Sequence, residues 1–206
     1  TRMKSIDDNG MVYYQPFYWY ESDQASYIQV YNGNNYDTYR FTFETDPVKI
    51  TPNGREEQLV LVLEDDESAV LVYKDNYNAL SFERFDYNLG SFDQILVIQS
   101  VRNRPVGEEI KKIGEYKYLF ELNDGIHGNE PYTFDMETES LELLKDMKEG
   151  FGSSNISDFT NNPLNGDLYF SAIKTENDRQ LFKLENTLNT IEVEDISSEL
   201  SIFPIP

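Results

Sequence analysis

The chain has no cysteine and a single histidine, His127, and its 17 Lys+Arg stand against 38 Asp+Glu for a net charge of -21 over 206 residues. Without cysteine there are no disulfides, no thiolate metal sites and no cysteine nucleophile. One histidine rules out a histidine metal cluster and leaves no spare base beside a serine–histidine relay. The shortage of cations disfavours nucleic-acid binding over a broad surface, because a phosphate backbone is repelled by this charge. No apolar run approaches the ~18–20 residues of a spanning helix, so membrane insertion is not expected. Phosphate-cradling GxxxxGK, GxGxxG after a strand, GxSxG and HExxH are all missing. Helical periodicity is weak too. Residues 139–149, framed by Thr138, Gly150 and Gly152, read as a strand and a loop.

Aromatic mass is what the chain has in quantity: 15 tyrosines, 13 phenylalanines and one tryptophan, far more than a disordered acidic chain carries. Runs of β-branched and aromatic residues at 11–20, 26–31, 39–43, 58–63, 69–73, 93–99, 116–122, 141–144, 168–172, 180–184 and 190–193 are separated by Asn, Asp and Gly. Tyr39, Phe41 and Phe43 alternate with Arg40 and Thr42, the period of a strand. The class is all-β.

A constant offset of fifty residues aligns Tyr118-Leu119-Phe120 with Leu168-Tyr169-Phe170, Phe134 with Leu184, Leu141 with Ile191 and Leu143 with Val193. Looser copies begin at Leu59 and at Val12, with connectors rich in Pro, Gly and Asn at 51–54, 103–107 and 161–166. A three-strand meander plus one connecting strand in each ~50 residues is the spacing of a propeller blade. The expectation is one β-repeat domain over 1–206, a propeller-like array of about four meander repeats near 11–50, 56–101, 113–160 and 164–203. A two-sheet β-sandwich is the alternative, with similar strand spacing but no fixed offset. The chain opens on Thr1 with no basic-then-apolar segment, so it reads as a mature product or a piece of something longer.

The stretch YLFELNDGIHGNEPYTFDMETESLELLKDM from Tyr118, continuing KEGFGSSN, resembles the bacterial ELWxxDGT repeat proteins. Asn123-Asp124-Gly125-Ile126-His127-Gly128-Asn129-Glu130 matches their DGxHGxE segment, Leu143-Leu144-Lys145-Asp146-Met147 their LVKDI, and Gly152-Ser153-Ser154-Asn155 the GSSN that follows. Pro131-Tyr132 replaces Leu-Trp, Glu137-Thr138-Glu139 replaces the DGT turn, and the next copy keeps only 168–172 and 180–184. The resemblance covers about a third of the chain. It implies an exported, propeller-type repeat protein with little assigned chemistry, located outside the cytoplasm as a secreted, cell-surface or periplasmic protein.

Among candidate site residues, Gly125, His127 and Gly128 read as a structural turn, with positive φ at the glycines and a hydrogen bond from His127 to its own loop. Asp7, Asp8 and Asp124 offer oxygen ligands next to a glycine bend, which makes calcium the one cofactor candidate, although the full alternating acidic loop is missing. The aromatic run 13–20 puts Tyr14, Tyr18, Trp19 and Tyr20 forward as a binding patch, since exposed Tyr and Trp faces stack on sugars or anchor interfaces. Burial of both faces, one by the core and one by the neighbouring blade, is the simpler account of the same residues. Glu64-Asp65-Asp66-Glu67 reads as a solvated hairpin tip. With 38 acids, no pair can be singled out for glycosidase chemistry.

The expected function is a non-catalytic binding, adhesion or assembly module with a protein or glycan partner, its acidity favouring cationic or calcium-bridged contacts. A carbohydrate-active enzyme, or the glycan-binding domain of one, is the alternative.

Overall fold

The computed structural model describes residues 20–21, 25–31, 35–42, 46–51, 56–65, 67–77, 79–98, 106–176, 178–185 and 193–195. These residues form strands and turns, with no helix among them. The strands make four four-stranded sheets in which each strand pairs with its sequence neighbours. The first holds β1 (Tyr20–Glu21), β2 (Ser26–Tyr31), β3 (Tyr36–Phe41) and β4 (Val48–Lys49). The second holds β5 (Gln58–Glu64), β6 (Ser68–Lys74), β7 (Leu80–Asp86) and β8 (Ser91–Ile98). The third holds β9 (Val106–Lys112), β10 (Lys117–Asn123), β11 (Asn129–Asp135) and β12 (Ser140–Leu143). The fourth holds β13 (Ser157–Asn161), β14 (Leu168–Thr175), β15 (Asp178–Leu184) and β16 (Val193–Asp195). Four successive antiparallel meanders are blade-type sheets, so the fold is all-β and propeller-like rather than a two-sheet sandwich. β13, at the end of the expected repeat 113–160, pairs forward with β14 and opens the fourth sheet.

The chain divides into two compact units, residues 1–76 with 82–94, and residues 77–81 with 95–206. In the first, Tyr27, Ile50, Leu59, Leu71, Tyr73 and Phe85 build the core. β6 is apolar on both faces and buried almost throughout, as a strand covered on both sides must be. In the second, Leu119, Met147, Ile156, Leu168, Phe170 and Phe182 form the core. Phe170 stacks on Phe182 at 5.8 Å and meets Phe159 at 5.8 Å. Each such ring contributes roughly 2–3 kcal/mol through buried apolar area.

The fifty-residue offset is a true structural register on the inner strands. Tyr118 lies opposite Phe134 as Leu168 lies opposite Leu184, and Leu122 opposite Glu130 as Ala172 lies opposite Gln180. At the edge strand it slips by two. Leu141 pairs with Phe134, but Leu184 pairs with Val193 rather than Ile191. A slip of two keeps every side chain on its face, so a longer connection is absorbed without inverting the pattern.

Glu64 departs from the solvated-tip reading of 64–67. It is buried, and its Oε1 accepts from the Tyr27 hydroxyl at 2.9 Å, from Arg40 Nη2 at 3.1 Å and from the Tyr87 hydroxyl. Arg40 also lies over the Tyr87 ring, 4.1 Å from its centroid. Burial raises both phenols, with the Glu64 charge adding to the effect, so neither gives up its proton. Gln29 joins the same two sheets, donating to the Glu57 carbonyl at 3.0 Å and accepting from Leu59 N at 2.8 Å.

Candidate functional site: a tethered turn and loop in the second unit

The stretch 123–130 forms the turn between β10 and β11. Asp124 organises it. Its Oδ1 accepts from the backbone N–H groups of Ile126 and His127, both at 2.8 Å, and its Oδ2 lies 2.8 Å from His127 Nδ1. The Tyr132 hydroxyl also favours the charged form of this carboxylate. Burial works against the charged form, but the His127 and Ile126 N–H groups, the Tyr132 hydroxyl and the His127 ring outweigh it and bring the Asp124 carboxyl down to about 2. Gly125 and Gly128 take φ of +84° and +76°, the left-handed region that favours glycine. Asn123 Oδ1 accepts from Gly125 N at 2.9 Å, closing the turn from its other side.

Strand alternation sends the two glutamates that flank this turn to opposite faces of the third sheet, and both reach the same loop, 144–156. Glu130 is fully buried. Its Oε2 accepts from Met147 N at 2.9 Å and its Oε1 from Ser154 N at 3.1 Å. Glu121, also buried, accepts from Ile156 N at 2.8 Å and from Asn129 Nδ2 at 2.8 Å. Asn129 adds backbone and hydroxyl bonds to Ser153 and Ser154. The contact is tight at Gly128, where a Cβ would stand 2.0 Å from the Gly152 carbonyl oxygen. Ser154 then accepts from Ile173 N through its carbonyl at 2.6 Å, carrying the tether to β14. The loop leads straight into β13.

This arrangement uses the polar side chains of 123–130 on backbone groups and on one another, and it leaves two apolar side chains outside. Ile126 on the turn is 62% exposed and Phe151 on the loop 68%. A second polar cluster lies on the fourth sheet. There Asp158 Oδ2 accepts from Ser157 and Ser171, at 2.8 and 2.6 Å, and Arg179 donates to both hydroxyls and to the Asn155 carbonyl. Asp158, at φ +62°, occupies the irregular step in the β13–β14 pairing, so this cluster holds a β-bulge together.

Of the residues singled out in sequence, Gly125, His127, Gly128 and Asp124 come together in the turn. Asp124 spends its oxygens on the Ile126 and His127 N–H groups and the His127 ring, and among the described residues no group of three His, Asp or Glu side chains is placed to hold a metal. Asp7, Asp8, Tyr14, Tyr18 and Trp19 lie outside the described residues, and Tyr20 is described only as part of β1. Glu121 and Glu130 are not candidate site residues in the sequence, although Glu130 closes the DGxHGxE-like stretch. A glutamate inside the apolar run YLFELN breaks the alternation and was the available signal for Glu121. Nothing local marks Glu130 as a clamp, because its partners lie 17 and 24 residues away.

No protein-family model matches the chain, and no curated protein matches it. Among solved structures, a prolyl endopeptidase is 12% identical with a TM-score of 0.55, over 83% of this chain and 24% of that one. TolB from Acinetobacter baumannii is 10% identical with a TM-score of 0.51, over 84% and 41%. An oligogalacturonate lyase in complex with manganese is 13% identical with a TM-score of 0.50, over 84% and 50%. The chain thus spans from about a quarter to half the length of the structures it is similar to. At such identities the likeness is one of fold, and that fold is β-propeller-like.

Proposed function

We propose that the chain is a non-catalytic binding module that works outside the cytoplasm, in adhesion or within a larger surface assembly, and that it is a divergent ELWxxDGT-type repeat unit. One observation carries this reading. The DGxHGxE-like stretch is consumed in tethering a turn to a loop, and the product is a braced pair of loops on which Ile126 and Phe151 are largely exposed. Apolar side chains held outward on braced loops are the usual makings of a contact surface. The partner class is a protein or a glycan, and the -21 charge favours one with cationic groups.

The test is a glycan and protein array followed by titration of hits. Phe151→Ala and Ile126→Ala are expected to weaken binding by about 5–10-fold each, the scale of a moderate interface residue. Trp19→Ala tests the aromatic run in the same assay. Turnover of a polysaccharide that an Asp/Glu→Ala scan abolishes would replace this reading with a carbohydrate-active enzyme. The fold likeness to an oligogalacturonate lyase makes oligogalacturonates the first substrates to try.

A further inference from the structure

Glu130 is a buried carboxylate with no counter-cation among the described residues. Its oxygens face the N–H groups of Met147 and Ser154 from the loop, and the Lys148 N–H also bears on it. Across β10 it meets the side chain of Leu122. On its own strand Tyr132 points the same way, with Asp124 beyond the Tyr132 hydroxyl and His127 on Asp124. From the loop comes a second carboxylate, Asp146, whose charge acts on Glu130. Asp146 Oδ2 accepts from Gly150 N at 3.2 Å, whereas its Oδ1 is buried and accepts no hydrogen bond from the described residues. Two carboxylates so placed, one fully buried and one with a buried oxygen lacking a donor, are short of one positive charge.

We propose that the loop 144–156 is a proton-linked clasp: Glu130, beside the Asp146 carboxylate, holds a proton while the loop is closed and releases it to water when the loop opens. Closing removes Glu130 from water beside another negative charge, so the closed form prefers it protonated. Burial, with Asp146 adding, raises the closed group to about 7 from an ordinary 4.5, against the opposing N–H bonds. Its contribution to closure is therefore complete below the ordinary value and is lost as pH rises through about 7. The fourth sheet lacks the device. The residue fifty positions on is Gln180, an amide that cannot titrate and that donates to Asp178 at 2.9 Å.

Amide hydrogen exchange at Met147, Ser154 and Ile156, corrected for intrinsic rates, reads the opening equilibrium directly. Opening is expected to be roughly 10²-fold more frequent at about pH 8 than at about pH 5. Glu130→Gln should flatten this dependence, and Asp146→Asn should move its midpoint to lower pH. His127→Asn, run alongside, should leave it in place. Carboxyl carbon NMR of the wild-type protein should show Glu130 titrating near neutrality. Flat wild-type protection between these pH values, or a Glu130 midpoint in the ordinary range, would overturn the proposal. So would the same pH dependence in Glu130→Gln. Should Glu130→Gln fail to fold, the wild-type carboxyl titration and Asp146→Asn decide the matter.

Discussion

At Gly128 two constraints coincide: a left-handed φ of +76° and a carbonyl oxygen where a side chain would begin. Either alone costs a non-glycine residue of order 1 kcal/mol or more, and here the obstructing atom is backbone, which cannot swing aside. Gly128→Ala is expected to destabilise the protein by about 3 kcal/mol, measured by urea denaturation. A loss no larger than that of an exposed surface substitution would mean that the turn and loop do not meet as described. Gly90, with φ +64° and open space around it, is the control, since only the backbone term applies there. Such residues differ in how far sequence gives them away. Gly128 stands out as a turn glycine, but the oxygen that forbids its substitution belongs to Gly152, and no local pattern reports that pairing. Glu64 misleads for the same reason. It sits in a run of four acids, and only the distant Tyr27, Arg40 and Tyr87 make a buried position tolerable.

At the scale of single elements, aspartates set the turns. Asp65, Asp86, Asp124 and Asp135 each place Oδ1 on the N–H groups two and three residues ahead, at 2.7–3.1 Å. A side-chain oxygen in this position mimics a backbone turn and satisfies donors that the strands leave free. Part of the acidity is therefore local folding chemistry. Asp124 offers the cleanest test because its carboxyl is depressed to about 2. The stability it contributes is present above its ordinary value of 3.8 and is lost as pH falls through about 2. Urea midpoints between about pH 5 and pH 2 should fall less steeply in Asp124→Asn than in wild type. Parallel curves would sink this assignment. Strands such as β2, β5, β6, β10 and β14 were legible, because aromatic and β-branched runs cut by Asn, Asp and Gly mark them, whereas the polar β9, β11 and β13 carry no such run. The two-residue slip at β16 was not legible either. It depends on the length of a connection, while apolar spacing reports only the face a residue occupies.

For the whole molecule, 38 acids against 17 bases make self-repulsion the dominant long-range force. Raising salt from about 0.01 to about 0.15 M shortens the screening length from ~30 to ~8 Å. The melting temperature is expected to rise by about 3–5 °C over that range. An unchanged or falling value would show that paired ions outweigh repulsion. The last two blade-type repeats were readable from the fifty-residue offset and the first two only from looser strand and turn spacing. The tethered loop was readable only as a family-like string, since its chemistry joins residues that periodicity treats separately.

The same tether bears on the order in which the protein is made. β13, the first strand of the fourth sheet, is delivered by a loop whose backbone is gripped by Glu121 and Glu130 of the third. Those grips exist only once β10 and β11 have paired and turned their side chains to the two faces. The third sheet therefore fixes where the fourth begins, and the earlier meander is expected to form before the later one. Stacked repeats propagate from whichever neighbour forms first, and the two glutamates that grip this loop both reach forward from the third sheet.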